Sequence, residues 1–181
     1  MIVFKDSLYQ VADGDLMEPG PYFVSLCVTF KLYTKGSEQF IVSSYTSDDP
    51  QFRAISATDT HVRIWGVWDV GYVDVSYKGS EWVTVFVEWS NADEHKGCAR
   101  IVSEAGTDHR ISFTCQTLDP IQPTTVYLGA KSKSGEKPLH GEISALEIYK
   151  GEGRVSLPEG ISNIMVTDQL MYYPSRKRKA T

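Results

Sequence analysis

Alternation of apolar and polar residues marks two long stretches of the chain and predicts a β-strand in each. In Tyr22–Leu32 every second residue is large and apolar, and in Glu81–Ser90 valines and Trp89 alternate with a mixed set. The mixed set is Trp82, Thr84, Phe86 and Glu88. A period of two belongs to a strand with one face in a core, and a helix would scatter it. We expect both stretches to be central strands of one sandwich, with the mixed face suited to water, to a convex sheet surface or to a partner.

Shorter stretches of the same kind recur along the chain, separated by turn-forming segments. They are Met1–Phe4, Phe40–Tyr45, Phe52–Ala57, His61–Trp65, Tyr72–Tyr77, Cys98–Ser103, Ile111–Cys115, Thr125–Leu128 and Gly141–Tyr149. Only Gly160–Met171 has apolar residues near helical spacing, after Pro158. The pattern predicts an all-β fold, a two-sheet antiparallel jelly-roll sandwich, with at most one short helix near residues 160–171.

Length and composition fit a single globular domain. The chain has 181 residues, of which 41% are hydrophobic and 23% charged, and we expect one domain over residues 1–171 and a basic tail over 172–181. The formal charge of −5 argues against a nucleic-acid partner. No apolar run is long enough to span a membrane. The start, MIVFKDSLYQ, does not have the pattern of a secretory signal, which leaves an intracellular protein and a mature chain with an added Met both open.

Two of the three cysteines flank a predicted hairpin. Cys98 and Cys115 are equidistant from the centre of the Glu104–His109 turn, which would place them opposite each other. A cross-strand disulfide fits that arrangement, and so do two buried thiols. Cys27 stays unpaired in both cases, and the spacing of the cysteines matches no zinc pattern.

The residue patterns of known catalytic sites are missing from the sequence. Retaining glycoside hydrolysis needs two carboxyl groups about 5–5.5 Å apart, but Asp93 with Glu94 falls in a loop, and Glu142 and Glu147 have opposite parity on one strand. There is no serine elbow, zinc-protease motif or phosphate loop, and the histidines at 61, 95, 109 and 140 are scattered over different elements. We therefore expect no catalytic residues and no enzyme.

The tryptophans of the Trp65–Trp68 stretch are candidate ligand-binding residues. A turn predicted here would leave rings partly exposed, and exposed rings stack on sugars or anchor protein contacts. Sandwiches also need large side chains in their core, so core packing of Trp65 and Trp68 is the alternative.

A series of short motifs, taken in order, resembles the pentraxins, a branch of the concanavalin A-like and laminin-G-like jelly rolls. The motifs are IVFKDS, VSLCVTFKLYT, FIVSSYTSDD, a strand ending in VEW, YLGAKSKSGE and GEISALEIY, and they extend from Ile2 to about Leu170. The resemblance implies a secreted disc of subunits, most often five. Each subunit would bind calcium on one face and recognise phosphorylated or sugar ligands through it.

The chain departs from the pentraxin pattern at two places. The family's characteristic disulfide would join Cys27 to a cysteine three residues before Trp89, but Phe86 stands there. The family's acidic and amide calcium ligands follow its Leu-Gly pair, where this chain has Lys131 and Lys133. Lysines cannot ligate calcium, which prefers carboxylate oxygens.

Asp48 and Asp49 are the weak metal candidates that remain in the first calcium loop. These departures from the family pattern therefore predict no calcium and no other cofactor. Lys131 or Lys133 would pair with Asp48 or Asp49 in place of the cation, and two unrelated solvated loops are the alternative.

These observations favour a non-enzymatic, pentraxin-like module that recognises a glycan, a phospho-ligand or a protein surface without calcium. Its candidate ligand-binding rim is Asp48, Asp49, Lys131, Lys133, Trp65 and Trp68. The alternative is a structural or assembly protein that has lost ligand binding, and a glycan-cleaving enzyme is disfavoured. We expect a homo-oligomer, since Trp82 and Phe86 suggest a contact surface on the mixed face, and a secreted or extracellular protein, with an intracellular one as the alternative.

Overall fold

The computed structural model describes residues 2–5, 9–11, 23–45, 52–79, 81–89, 96–116, 126–132 and 134–151. These residues form twelve strands. They are β1 (Ile2–Lys5), β2 (Tyr9–Val11), β3 (Phe23–Leu32), β4 (Gln39–Ser43), β5 (Ala54–Ala57), β6 (His61–Val67), β7 (Gly71–Ser76), β8 (Val83–Trp89), β9 (Lys96–Ser103), β10 (Asp108–Thr114), β11 (Val126–Leu128) and β12 (His140–Gly151).

The strands form two six-stranded antiparallel sheets. Sheet A has the order β1-β12-β3-β8-β9-β10, and sheet B has the order β2-β11-β4-β5-β6-β7. This is the predicted all-β jelly-roll sandwich, so the fold class is confirmed. Of the twelve strands only β2 was not expected, because three residues are too short to show an alternating pattern.

The main core lies between the sheets and is built from alternate positions of their strands. In β3 the inward residues include Leu26, Val28 and Phe30, which are fully buried. Sheet B supplies Ile55 and Ile64 to the same core. We call this side of each sheet its inner face and the opposite side its outer face.

The outer face of sheet A differs from the expectation. Phe86 on β8 is only 2% exposed and packs with Cys27 and Val102. Beside it, the fully buried hydroxyls of Thr29 and Thr84 share a hydrogen bond of 2.9 Å. The prediction that this mixed face is open to water or to a partner is therefore wrong, and Phe86 cannot serve as a contact surface between subunits.

Cys27 and Phe86 are directly opposite each other across β3 and β8. Phe86 thus occupies the position from which a cysteine would reach Cys27, as the pentraxin resemblance implied. Burial, reinforced by the negative charge of Glu147, raises the pKa of the Cys27 thiol to about 12. The thiol therefore stays protonated at neutral pH and reacts slowly.

The predicted opposition of Cys98 and Cys115 is wrong. Cys98 is opposite Ser112, because the β9–β10 hairpin is centred on Ala105. Cys115 belongs to the inner core, where its sulfur lies against Gly97, whereas Cys98 is on the alternate, outer side of β9. The two sulfurs are on opposite faces of sheet A and form no disulfide.

A close contact at Gly66 ties the end of β6 to sheet A. The Trp89 indole nitrogen donates to the Trp65 carbonyl oxygen at 2.8 Å, and Val67 forms a bridge to Cys115. Gly66 has a φ of 94°, and a Cβ atom there would lie 3.1 Å from both Arg53 Cγ and Trp89 Nε1. The Arg53 guanidinium is buried 5.7 Å from the centre of the Trp89 ring, and burial lowers its pKa to about 9.

The predicted helix near residues 160–171, the domain limit at residue 171 and the 172–181 tail lie outside the described residues. Within the described part of the chain, no helix of membrane-spanning length and apolarity is found.

Candidate functional site

The outer face of sheet B carries a group of aromatic side chains. Alternation in β6 buries Val62 and Ile64 in the main core and turns His61, Arg63 and Trp65 outward. Trp65 then meets aromatic residues of β4 and β7 and of the segments that flank β4 and β5. We call Phe40, Tyr45, Phe52, Trp65 and Tyr72 the aromatic array.

Trp65 is at the centre of the aromatic array. Its ring centre is 5.0 Å from that of Phe52, 5.1 Å from that of Tyr72 and 5.8 Å from that of Phe40. Tyr45 meets Phe52 edge-on at 5.0 Å. Phe40 is fully buried, whereas Tyr72 is 37% exposed, so the array extends from the interior to the solvent.

A chain of hydrogen bonds fixes the orientation of the Trp65 ring. The indole nitrogen donates to the Ser56 hydroxyl at 2.9 Å, and that hydroxyl donates to Glu38 at 2.8 Å. Buried tryptophan N–H groups need such a partner. The flat side of the ring is thus held in one position before any ligand arrives.

Arg63 packs against two rings of the array. Its Cζ atom is 3.8 Å from the Tyr72 ring centre and 5.6 Å from that of Trp65. Nε and Nη2 donate to the two oxygens of Asp74 at 2.7 and 2.9 Å, and Nη1 donates to Glu38 at 3.3 Å. This bidentate pair is the strong form of a charge-assisted hydrogen bond, and it lowers the pKa of Asp74.

Glu38 accepts from three side chains. Besides Ser56 and Arg63, the Lys137 ammonium donates to it, and Lys137 is placed there because its own carbonyl accepts from the Phe40 amide at 3.1 Å. Burial alone would raise the pKa of Glu38, but the hydrogen bonds from Lys137 and Ser56 and the two nearby positive charges outweigh it and lower the pKa. Glu38 is therefore ionised at neutral pH.

Lys131 belongs to the neighbourhood of the array. Its ammonium lies 4.0 Å from the Tyr45 ring centre and 3.6 Å from Glu136. Lys133, Asp48 and Asp49 are outside the described residues, so their proposed pairing with a lysine stays a prediction. Among the residues that the structure describes, no three His, Cys, Asp or Glu side chains group to hold a metal ion.

Trp65 and Trp68 have different surroundings. Trp68 is exposed at the tip of the β6–β7 hairpin, beside Asp69 in a left-handed conformation and the exposed Val70. Sequence reasoning named Trp65, Trp68 and Lys131 but not the network around Glu38 and Arg63. The one local signal was the alternation of β6 and β7, which predicts that Trp65 faces Tyr72 once the hairpin is assumed.

The fold of this chain is similar to that of several solved structures. No protein-family model matches the sequence, and no curated protein does. The enzymatically active domain of tailspike protein 2 from bacteriophage CBA120 matches with a TM-score of 0.59 and 10% identity over 92% of this chain and 28% of that chain. The present chain therefore spans about a quarter of that protein's length.

Two further solved structures match this chain. The CBM40 domain of the Ruminococcus gnavus IT-sialidase, bound to α2,3-sialyllactose, has a TM-score of 0.50 and 12% identity over 72% of this chain and 77% of that chain. A heptameric SAP-like pentraxin from Limulus polyphemus has a TM-score of 0.47 and 13% identity over 78% of this chain and 68% of that chain. The likeness to the tailspike and CBM40 domains is one of fold alone, and none of these matches assigns the chain to a family.

Proposed function

We propose that this chain is a non-enzymatic glycan-binding module that uses the outer face of sheet B. The observation that carries the proposal is the aromatic array, in which Tyr72 and the half-buried Trp65 reach the surface next to hydrogen-bonding charged groups. Sugar rings have an apolar side that stacks on aromatic rings and hydroxyl groups that need polar partners. Of the three ligand classes expected from the sequence, a glycan fits this combination best.

The state of the two carboxyl groups beside the array supports binding without cleavage. Arg63 donates to both Glu38 and Asp74, and the pKa of each lies below its usual value. Glycoside cleavage needs one carboxyl group that keeps its proton near neutral pH, which requires a raised pKa. Neither group fits the part of the general acid.

We test this function on a glycan array and by calorimetric titration of the best ligand. Tyr72→Ala removes an exposed ring of the array and should weaken binding at least tenfold, because a sugar–aromatic contact of about 1.4 kcal/mol is a factor of ten. Trp68→Ala is the matched control, since it removes an exposed ring of the same hairpin outside the array. Equal losses in both variants, or release of reducing ends from a bound glycan, would count against the proposal.

Calcium-independent binding is part of the same proposal. It is supported by the position of Lys131, whose ammonium lies over Tyr45 and beside Glu136 in the segment where pentraxins offer calcium ligands. Titration in the presence of a chelator should give the same affinity as titration with calcium.

A protein contact is the second candidate function, and the exposed Trp68 and Val70 at the hairpin tip favour it. Such a contact would also serve the homo-oligomer expected from the sequence. Light scattering of the wild type and Trp68→Ala tests it, because only an interface that uses the tip would dissociate in the variant.

Secretion rests on the family resemblance and is tested by locating the native protein.

A further inference from the structure

Among the residues that the structure describes, the charged side chains around the aromatic array pair with one another. Arg63 is bound by Asp74 and Glu38, Lys137 by Glu38, and Lys131 by Glu136. These are three cations and three carboxylates, and their formal charges cancel. His61 lies on the same face, with its Nε2 atom 3.8 Å from Asp74.

Carboxylates are the more exposed members of two of these pairs. The Asp74 side chain is 37% exposed against 20% for Arg63, and the Glu136 side chain is 54% exposed against 22% for Lys131. At the Arg63–Asp74 and Lys131–Glu136 pairs an approaching ligand therefore meets acceptor oxygens first, whereas in the Lys137–Glu38 pair the lysine is the more exposed member, at 49% against 12%. Acceptor oxygens attract hydroxyl donors and repel carboxylates.

Each nitrogen of the Arg63 guanidinium already donates to a carboxylate. Recognition of a carboxylate by arginine is typically bidentate and needs two N–H groups on one edge of the guanidinium. In Arg63 the edge formed by Nε and Nη2 is occupied by Asp74, and Nη1 points to Glu38. A sialic or uronic acid would have to displace one of these carboxylates.

From this arrangement we infer that the outer face of sheet B selects neutral glycans and discriminates against sialylated and uronic-acid glycans. The inference rests on the proposed function and names the class of its ligand. A neutral hexose stacks its apolar side near Tyr72 and Trp65 and donates hydroxyl protons to Asp74. The R. gnavus domain of similar fold was solved with α2,3-sialyllactose. The two proteins would therefore bind ligands of different charge although their folds are similar.

The test uses the full chain and an array of matched pairs, in which each neutral oligosaccharide is printed beside its sialylated or uronic-acid counterpart, lactose and α2,3-sialyllactose among them. We expect the neutral member of each bound pair to bind at least tenfold more tightly than the acidic member. The difference in affinity should become smaller at high salt. Tighter binding of the acidic members would overturn the inference and leave the proposed function intact. An array on which nothing binds would overturn both.

Asp74→Asn identifies the source of the discrimination. It frees the Nε–Nη2 edge of Arg63, so the ratio of neutral to acidic affinity should fall at least tenfold, whereas Asp74→Glu should keep it. Asp108→Asn is the matched control, because Asp108 makes the same bidentate pair with Arg100 on sheet A. A ratio that is unchanged in a folded Asp74→Asn variant, or that falls equally in Asp108→Asn, would refute the role of this pair.

Discussion

Phe86→Cys should create a disulfide with Cys27, because the two positions are directly opposite on β3 and β8. Opposite residues of antiparallel strands have Cα atoms about 4.5–5.5 Å apart, which lies within the range that a disulfide spans. The variant would restore the bond expected from the pentraxin resemblance. It therefore tests the register of the two central strands of sheet A.

Two opposing effects set the size of the change in stability. Removal of the ring of Phe86, which is almost fully buried, costs about 3 kcal/mol, at the low end for loss of a core phenylalanine because the sulfur remains. The new disulfide closes a loop of about 60 residues, which stabilises by about 4 kcal/mol in the chain-entropy treatment. The oxidised variant should thus come within about 1–2 kcal/mol of the wild type, and reduction should lower its free energy of unfolding by about 4 kcal/mol.

The measurement is urea denaturation with and without reductant, together with peptide mapping of the oxidised protein. All variants carry Cys98→Ser, since Cys98 lies on the same face of sheet A. Phe86→Ala is the control that loses the ring and gains no thiol, so its stability should not respond to reductant. If the Phe86→Cys protein forms no disulfide under oxidising conditions, or shows equal stability when oxidised and reduced, the assigned register is wrong.

Three other outcomes are expected. Gly66→Ala should lower the free energy of unfolding by about 2 kcal/mol or more, since Gly66 combines a left-handed backbone with two contacts at 3.1 Å. Gly36 is also left-handed but lies in open space, so Gly36→Ala should lose only about 1 kcal/mol. Equal losses in the two variants would contradict the contact argument. Because folding lowers the pKa of Glu38, its ionised carboxylate contributes stability that is fully present above the unfolded pKa near 4 and is lost as pH falls through the folded pKa. Glu38→Gln should therefore flatten the acid side of a stability–pH profile, and an unchanged slope would refute this. Sub-millimolar calcium should not raise the melting temperature; a rise of several degrees would mean that the Lys131 segment had been misaligned with the calcium loop of pentraxins.

Much of the fold was predictable because its signal is local. The alternation in β3 and β8 is visible within each strand, and the Cys27–Phe86 pairing was implied by the resemblance to the pentraxins. The β9–β10 register was not predictable from the cysteine positions, because a tight turn at Ser103–Gly106, closed by a 3.1 Å backbone hydrogen bond, moves the hairpin centre to Ala105. A small shift in a turn changes which residues face each other along the whole hairpin. A shift by an odd number of residues also moves each side chain of the strand to the other face of the sheet.

The candidate site was less predictable because its parts are distant in sequence. Glu38 meets Arg63 across 25 positions and Lys137 across 99, and these contacts depend on the strand order of sheet B. The exposure of the outer face of sheet A was misjudged for a related reason. Alternation shows that two faces differ, but it does not show what packs on the more polar one.

The position of β7 at the border of sheet B has a consequence for how the proposed binding specificity can diversify. Its inward residues Val73 and Val75 belong to the packing of the main core, while Tyr72, Asp74 and Ser76 alternate with them on the exposed side. Among the described strands, only β6 is hydrogen-bonded to β7. Mutations at the outward positions can therefore exchange the groups of the proposed binding face while the two valines keep the strand in place, so recognition and folding can evolve independently along a single strand.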